Sequence, residues 1–194
     1  MSRSGGSRVL AHLTQEEANA VRLYLRYKGY HWNVGGPMFR ELHLLFDEHA
    51  SIVLETVDPL AERQRMLGAA APYISGELDA VATVPAEDGL PPTVRGMVDR
   101  LREAHRTIVD GMHDGFRAAD AEGDPGTADL FARLVQAHEK MDWVLRELAA
   151  PVGTLPDDAS RLLRPRDKGA GFAPGGLPHA APSAPARQVP ALRA

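Results

Sequence analysis

His43 and Asp47 lie four residues apart, and so do Asp58 and Glu62. On a helix, residues at that spacing share one face and can grip a single cation between them. Either pair alone is also what an ordinary solvated helix face presents. The spacing between the pairs says more. From His43 to Asp58 is 15 residues, which at about 100° and 1.5 Å per residue returns within roughly 60° of the same face, about 22 Å further along the axis. One chain cannot share an ion across that distance. If both pairs serve one centre, they come from two chains. A two-fold axis near Ile52 and Val53, midway between the pairs, would lay two copies antiparallel. His43 and Asp47 of one copy would then face Asp58 and Glu62 of the other, in two identical sites. His31, reaching in from the end of the preceding element, would complete each.

Composition narrows the chemistry. The 194 residues include no cysteine, which removes disulfide scaffolds, thiolate zinc sites, iron–sulfur clusters and cysteine nucleophiles. Any metal must be held by imidazole and carboxylate, a donor set that suits iron, manganese or zinc. Apolar residues make up 44% and charged residues 25%, a balance that supports a real core and excludes uniform disorder. The formal charge of −4 argues against a nucleic-acid binder of uniformly basic surface. Met1 to Arg8 is polar and no apolar run reaches the 18 or so residues that span a bilayer, so a soluble, cytoplasmic chain is expected.

Four long segments repeat apolar residues at helical spacing, and none alternates like a strand. The first opens on Thr14 with Glu17 three residues later, a capping-box pattern, and carries Ala18, Val21, Leu25 and Trp32 before Val34-Gly35-Gly36-Pro37 ends it. The second runs from Pro37 through Phe39, Leu42, Phe46, Val53, Val57, Leu60 and Leu67 to Gly68. The third follows Pro91-Pro92, carries Val94, Val98, Leu101, Ile108, Met112 and Ala119, and stops across residues 121–126. The fourth carries Phe131, Leu134, Met141, Leu145 and Leu148 and ends before Pro151. Between the second and third, Ala69 to Leu90 is long enough for a crossover with a short helix over Ser75 to Val81. The expected fold is all-α: a ferritin-like four-helix bundle over residues 14–150, with a short helix in the crossover and a brief extension over residues 1–13. An unrelated up-down bundle with an irregular middle loop is the alternative. Pro59 falls inside the second helix, directly after Asp58. It removes the hydrogen bond to the Glu55 carbonyl, at a cost of about 3 kcal/mol, and predicts a kink that would shift Asp58 against Glu62.

A di-iron site inside the bundle calls for Glu-x-x-His motifs. No Glu here has a His three residues later. Metal chemistry is therefore expected at a subunit interface.

These residues carry a resemblance. His31-Trp32-Asn33, Gly36-Pro37, Phe39, Leu42-His43, Asp47, Asp58 and Ala61-Glu62-Arg63 together resemble the signature of the Dps family, the DNA-binding proteins from starved cells, which are miniferritins. Glu122-Gly123-Asp124, Thr127, Asp129-Leu130 and Trp143 extend the likeness over about residues 10–150. The resemblance implies a hollow homododecamer that oxidises Fe(II), preferably with hydrogen peroxide, at inter-subunit di-iron centres. It stores the ferric product inside the shell and protects DNA from oxidative damage. Carried onto this sequence, His31, His43 and Asp47 would come from one subunit and Asp58 and Glu62 from its mate. Trp32 would stand beside the centre as a radical trap, with a packed core indole as its other reading. Asp120, Asp124 and Asp129 resemble the acids lining the pores through which iron enters. Their structural reading is an N-cap at Asp124 and a first-turn acid on the helix dipole at Asp129.

Among the other candidates, His105 and His138 fall on apolar stripes and read as core histidines with satisfied hydrogen bonds rather than as ligands. Asp110, His113 and Asp114 read either as a surface metal cluster or as a polar face, and His12 and His49 sit in no pattern. Beyond Pro151 the composition changes: 13 of the last 44 residues are Pro or Gly, the level of a low-complexity segment. This tail, residues 151–194, carries a net charge of +3, leaving −7 on the rest. Arg161, Arg164, Arg166 and Lys168 make it a candidate DNA-binding arm whose weak contacts multiply in an oligomer. A DNA-binding, nucleoid-associated protein with secondary ferroxidase activity is therefore the alternative function.

Overall fold

The computed structural model describes residues 8–150. It contains five helices and, among the described residues, no strand. In chain order these are α1 (Arg8–Asn33), α2 (Phe39–Met66), α3 (Ser75–Val81), α4 (Val94–Glu122) and α5 (Pro125–Leu148). Helix α1 packs chiefly on α2 and α4 on α5, and the contact of α1 with α4 joins the two pairs. The connections within each pair are too short for anything but antiparallel neighbours. The crossover between pairs holds α3, which lies against α1. This is the expected bundle, with the short helix over Ser75–Val81 where the sequence places it.

The capping box at Thr14 does not start the first helix. Helix α1 begins at Arg8, because Val9 and Leu13 already belong to the core. Thr14 instead sits one to two turns inside the helix, its Oγ1 2.9 Å from the Leu10 carbonyl and 2.7 Å from Gln64 Oε1. Gln64 in turn donates to the buried Glu17 at 2.6 Å. The Thr-x-x-Glu pattern therefore records a polar seam between α1 and α2, whose residues must be satisfied once buried. The apolar face of α1 also differs from the expected stripe. Leu25 and Trp32 are exposed, and Leu13, Ala20, Leu23, Tyr27 and Tyr30 face the core instead. Two tyrosine rings turned inward outweigh the aliphatic stripe, because each large ring removes more area from water.

The other three long helices bury most of what their periodicity predicts, whereas Phe39 and Leu67, at the two ends of the second stripe, are exposed. Leu42, Phe46, Val53 and Leu60 of α2, Val98, Leu101, Ile108 and Met112 of α4, and Phe131, Met141 and Leu145 of α5 are at most 2% exposed. Each is worth about 1.5–3 kcal/mol of transfer free energy. Helix α2 runs unbroken through Pro59, so Asp58 and Glu62 keep helical spacing. Helix α4 ends on Gly123, whose φ of 71° is the left-handed conformation that favours glycine. The Asp124 amide then reaches back to the Ala119 carbonyl at 2.8 Å.

The crossover is held by polar side chains of α1, of which Asn19 and Arg26 are buried. Asn19 Oδ1 accepts from the amides of Thr83 and Val84 at 2.8 and 2.9 Å. Arg22 donates to the Val84 carbonyl at 2.6 Å, and Arg26 pairs with Glu87. Fixing the crossover fixes which pair of helices lies beside which.

Candidate metal centre

The turn over residues 34–38 brings the end of α1 against the start of α2, and with it His31 against His43. Their rings stack at 3.7 Å between centroids and 20° between planes. Each Nδ1 meets the other residue's backbone carbonyl: His31 Nδ1 to the His43 oxygen at 2.7 Å, and His43 Nδ1 to the His31 oxygen at 2.9 Å. A carbonyl oxygen only accepts, so both Nδ1 atoms must carry the hydrogen. In the neutral ring that leaves both Nε2 lone pairs available for a cation, the outer-shell lock that orients metal-binding imidazoles.

Asp47 stands one turn beyond His43 on α2. Lys28, one turn before His31 on α1, donates to its Oδ1 at 2.6 Å. That hydrogen bond holds the Asp47 carboxyl below the usual carboxylate range, and the fields of His31 and His43 add to it. Lys28 was not legible as a site residue, although its position three before His31 places it on the same face of α1. Its Nζ also lies 5.9 Å from the Trp32 ring centroid. Trp32 is 67% exposed, which rules out the packed core indole.

Asp58 and Glu62 are exposed and lie on α2 well beyond this group. The unbroken helix sets them about 22 Å along the axis from His43 and Asp47. Among the described residues no three His, Asp or Glu side chains of one chain converge on an ion position. A single chain therefore presents two partial sets, His31 with His43 and Asp47 at one end of α2 and Asp58 with Glu62 toward the other. The donor chemistry fits iron as a substrate: neutral imidazole accommodates Fe(II), and carboxylate stabilises Fe(III).

The remaining candidates separate cleanly. Asp124 caps α5, accepting from the Thr127 amide at 3.0 Å and the Thr127 hydroxyl at 2.6 Å. Arg63 donates to the same carboxylate at 2.6 Å. Asp124→Ala is expected to cost about 1 kcal/mol from the cap alone, lowering the thermal midpoint by about 2–4 °C in a calorimetric scan. Because α5 starts at Pro125, Asp129 lies beyond its first turn, contrary to the helix-dipole reading, and pairs with Arg133 at 2.9 Å. Asp120 is exposed. Asp110 and His113 are exposed and Asp114 pairs with Arg117, so no surface metal cluster forms there. His105 and His138 are buried, as expected of core histidines, and the buried His49 joins their network through Tyr27. Sequence reading assigned His49 no partner, since its partner comes from another helix. Arg161, Arg164, Arg166 and Lys168 lie outside the described residues.

Known proteins supply the comparison. The ferritin-like domain family matches residues 10–151. An uncharacterized low temperature-induced protein of Nostoc sp. is 36% identical over 157 residues, covering 76% of this chain and 86% of that protein. The X-ray structure of Dps from Thermosynechococcus elongatus superposes with a TM-score of 0.72 at 45% identity, covering 74% of this chain and 90% of that one. DpsC from Streptomyces coelicolor also superposes at 0.72, with 34% identity over 76% of this chain and 86% of its own. The Dps protein from Vibrio cholerae, described as a member of a broad superfamily of ferritin-like diiron-carboxylate proteins, is 26% identical at a TM-score of 0.70, covering 74% and 89%. The matched domain, the shared bundle and these identities over most of each chain have one reading: this chain belongs to the Dps family of ferritin-like proteins.

Proposed function

We propose that this protein oxidises Fe(II), preferably with hydrogen peroxide, at centres formed where two chains meet, and stores the ferric product within a dodecameric shell. The observation that carries the reading is the reciprocal lock between His31 and His43, which places the hydrogen of each neutral ring on Nδ1 and leaves each Nε2 lone pair free for a cation, with the Asp47 carboxylate one turn further along α2. The isolated chain leaves that half-site short of ligands, and Asp58 and Glu62 of a two-fold mate are the matching half. Each Fe(II) yields one electron and peroxide takes two. Two irons held together, with two protons, thus reduce one peroxide to two waters without releasing hydroxyl radical. Lys28 competes with arriving iron for Asp47, so loading displaces a 2.6 Å ion pair. Asp120, Asp124 and Asp129 supply negative charge that gathers Fe(II) by field focusing, Asp124 while also capping α5.

The test is direct. Anaerobic protein given Fe(II) and then peroxide is expected to show a fast ferric absorbance rise. His43→Ala and Asp58→Ala, each removing a proposed ligand, are expected to slow it at least 10–100-fold, the scale at which even outer-shell losses act on metal sites. Equal rates in wild type and Asp58→Ala would refute the assignment.

The tail carries a second reading, because its net charge of +3 is opposite to the −7 of the rest. Two relatives, from Deinococcus radiodurans and Halobacterium salinarum, are named DNA protection during starvation proteins. In this reading the tail contacts duplex DNA non-specifically. A gel mobility shift that weakens with salt and disappears on truncation after residue 150 is the expected outcome. Retained binding by the tailless protein would exclude it.

A further inference from the structure

The centre of the bundle holds a second group of donors, which owes nothing to the iron site. Each long helix contributes one polar side chain: Tyr27 from α1, His49 from α2, His105 from α4 and His138 from α5. None is more than 3% exposed. Tyr27 Oη lies 3.0 Å from His49 Nδ1 and 2.6 Å from His105 Nε2, while His105 Nδ1 lies 2.9 Å from His138 Nδ1. Packing alone does not account for four polar groups in a layer otherwise filled by residues such as Phe46, Leu101 and Met112. A buried polar network serves structure best when every member is satisfied. This one is not: His138 Nε2 is buried with no partner.

Counting hydrogens shows what the chain of contacts can do. A phenol has one hydrogen and a neutral imidazole one. In one polarity His49 Nδ1–H donates to Tyr27, Tyr27 donates to His105 Nε2, and His105 Nδ1–H donates to His138 Nδ1. In the other every bond reverses. Neither polarity gives His138 Nε2 a partner. In the first, His105 is oriented by His138 with its Nε2 lone pair aimed at Tyr27, the outer-shell arrangement that metal-binding imidazoles use.

We propose that Tyr27 Oη, His49 Nδ1 and His105 Nε2 form an intra-chain site for a first-row transition ion such as Zn²⁺, with His138 fixing the tautomer of His105.

The two imidazole nitrogens already converge on the third donor, the phenol oxygen. Around a tetrahedral ion with bonds of about 2.0–2.1 Å, neighbouring ligands stand about 3.3 Å apart. The observed 2.6 and 3.0 Å separations open to that distance with shifts of under about 1 Å. Two imidazole nitrogens and one phenolate oxygen suit a borderline ion rather than Mg²⁺ or Ca²⁺. Burial holds the ligands His49 and His105, and His138 behind them, in the neutral form, so protons do not compete near neutral pH. The phenol is the group that must give up a proton, which leaves to solvent as the ion enters. The bound phenolate and the nearby Asp142 carboxylate, itself paired with Arg102, offset the ion's charge. Only two of the three donors are imidazoles, so the site differs in kind from the His/Asp/Glu sets at the ends of α2.

The experiment uses full-length protein stripped of metal by chelation and then loaded with Zn²⁺. Crystals of the loaded protein, measured at the zinc edge, are expected to show an anomalous peak bonded to Tyr27, His49 and His105. In solution, a His31→Ala/His43→Ala variant is expected to retain one Zn²⁺ per chain after gel filtration. Adding Tyr27→Phe to it is expected to weaken that binding at least tenfold. A loaded crystal with no peak among Tyr27, His49 and His105 overturns the proposal, even if Tyr27→Phe fails to fold. Full retention of the Zn²⁺ after Tyr27→Phe overturns it as well. Both readouts locate an ion rather than measure iron oxidation, so failure of the ferroxidase reading leaves them unaffected.

Discussion

Particles assembled from equal amounts of His43→Ala and Asp58→Ala chains are expected to oxidise Fe(II) with peroxide at about a quarter of the wild-type rate, although each variant alone is nearly inactive. The reason lies in the symmetry of the proposed interface. A two-fold contact between different chains makes two sites that are not equivalent. One takes His43 from the first variant and Asp58 from the second, and has lost both ligands. The other takes His43 from the second and Asp58 from the first, and is complete. Random pairing puts the two variants together in about half of all contacts, and half of those sites are whole. A centre built within one chain would lack a ligand in every copy and recover nothing. The wild-type fold should persist in both variants, since Asp58 is exposed and His43 is only half-buried. The measurement is the initial ferric absorbance rate of co-refolded particles against the mean of the two pure variants. A mixture no faster than that mean would exclude the two-chain centre.

Acidification from pH 7 to pH 4.5 is expected to remove several kcal/mol of stability through the core histidines. His49 and His138 are pushed down to about 4 by burial. His105 is pushed well below its ordinary value by burial and by its neighbours His138 and His49. In the unfolded chain the same groups titrate near 6.5. Between about 6.5 and 4 the unfolded state therefore binds more protons, so stability rises with pH across that window and is lost as pH falls. For His49 and His138 the shift is worth roughly 3 kcal/mol each. Glu16 acts in the opposite sense. Burial against α4 raises its carboxyl from 4.5 to about 7, with the Asn19 and Gln15 hydrogen bonds opposing and Asp114 adding to the rise. Its contribution is full below 4.5 and is lost as pH rises through about 7, which partly offsets the histidines. Urea midpoints at half-unit steps from pH 4.5 to 7.5 measure the balance. His138→Leu is expected to flatten the net slope by about half, because one of three depressed imidazoles is gone while Glu16 still opposes the other two. A flat wild-type profile would mean that the core histidines are not held neutral.

Much of this protein is written in local pattern. The periodicity of apolar residues on α2, α4 and α5 marks their core faces, because a helix repeats its contacts every 3.6 residues whatever it packs against. The stop at Gly123 and the short helix over Ser75–Val81 are equally local. The pairs His43/Asp47 and Asp58/Glu62, and the distance between them, follow from sequence arithmetic on one unbroken helix. Where reading along the chain failed, the deciding contact came from elsewhere in it. Thr14 and Glu17 looked like a cap because their spacing fits one, but Gln64, 50 and 47 residues away, claims both. The stripe of Leu25 and Trp32 lost to Tyr27 and Tyr30 because those rings find Phe46 on α2.

The amino-acid order alone determined which donors are available and that no single chain can join them at one ion. The tertiary structure decided which donors are oriented. His31 and His43 become a preformed pair only when the turn at residues 34–38 lets each ring reach the other's carbonyl. Tyr27, His49, His105 and His138 become neighbours only when four helices converge. Helical spacing propagates along one chain segment. Hydrogen-bond direction and burial depend on what another segment brings, and no pattern within a single segment carries that information.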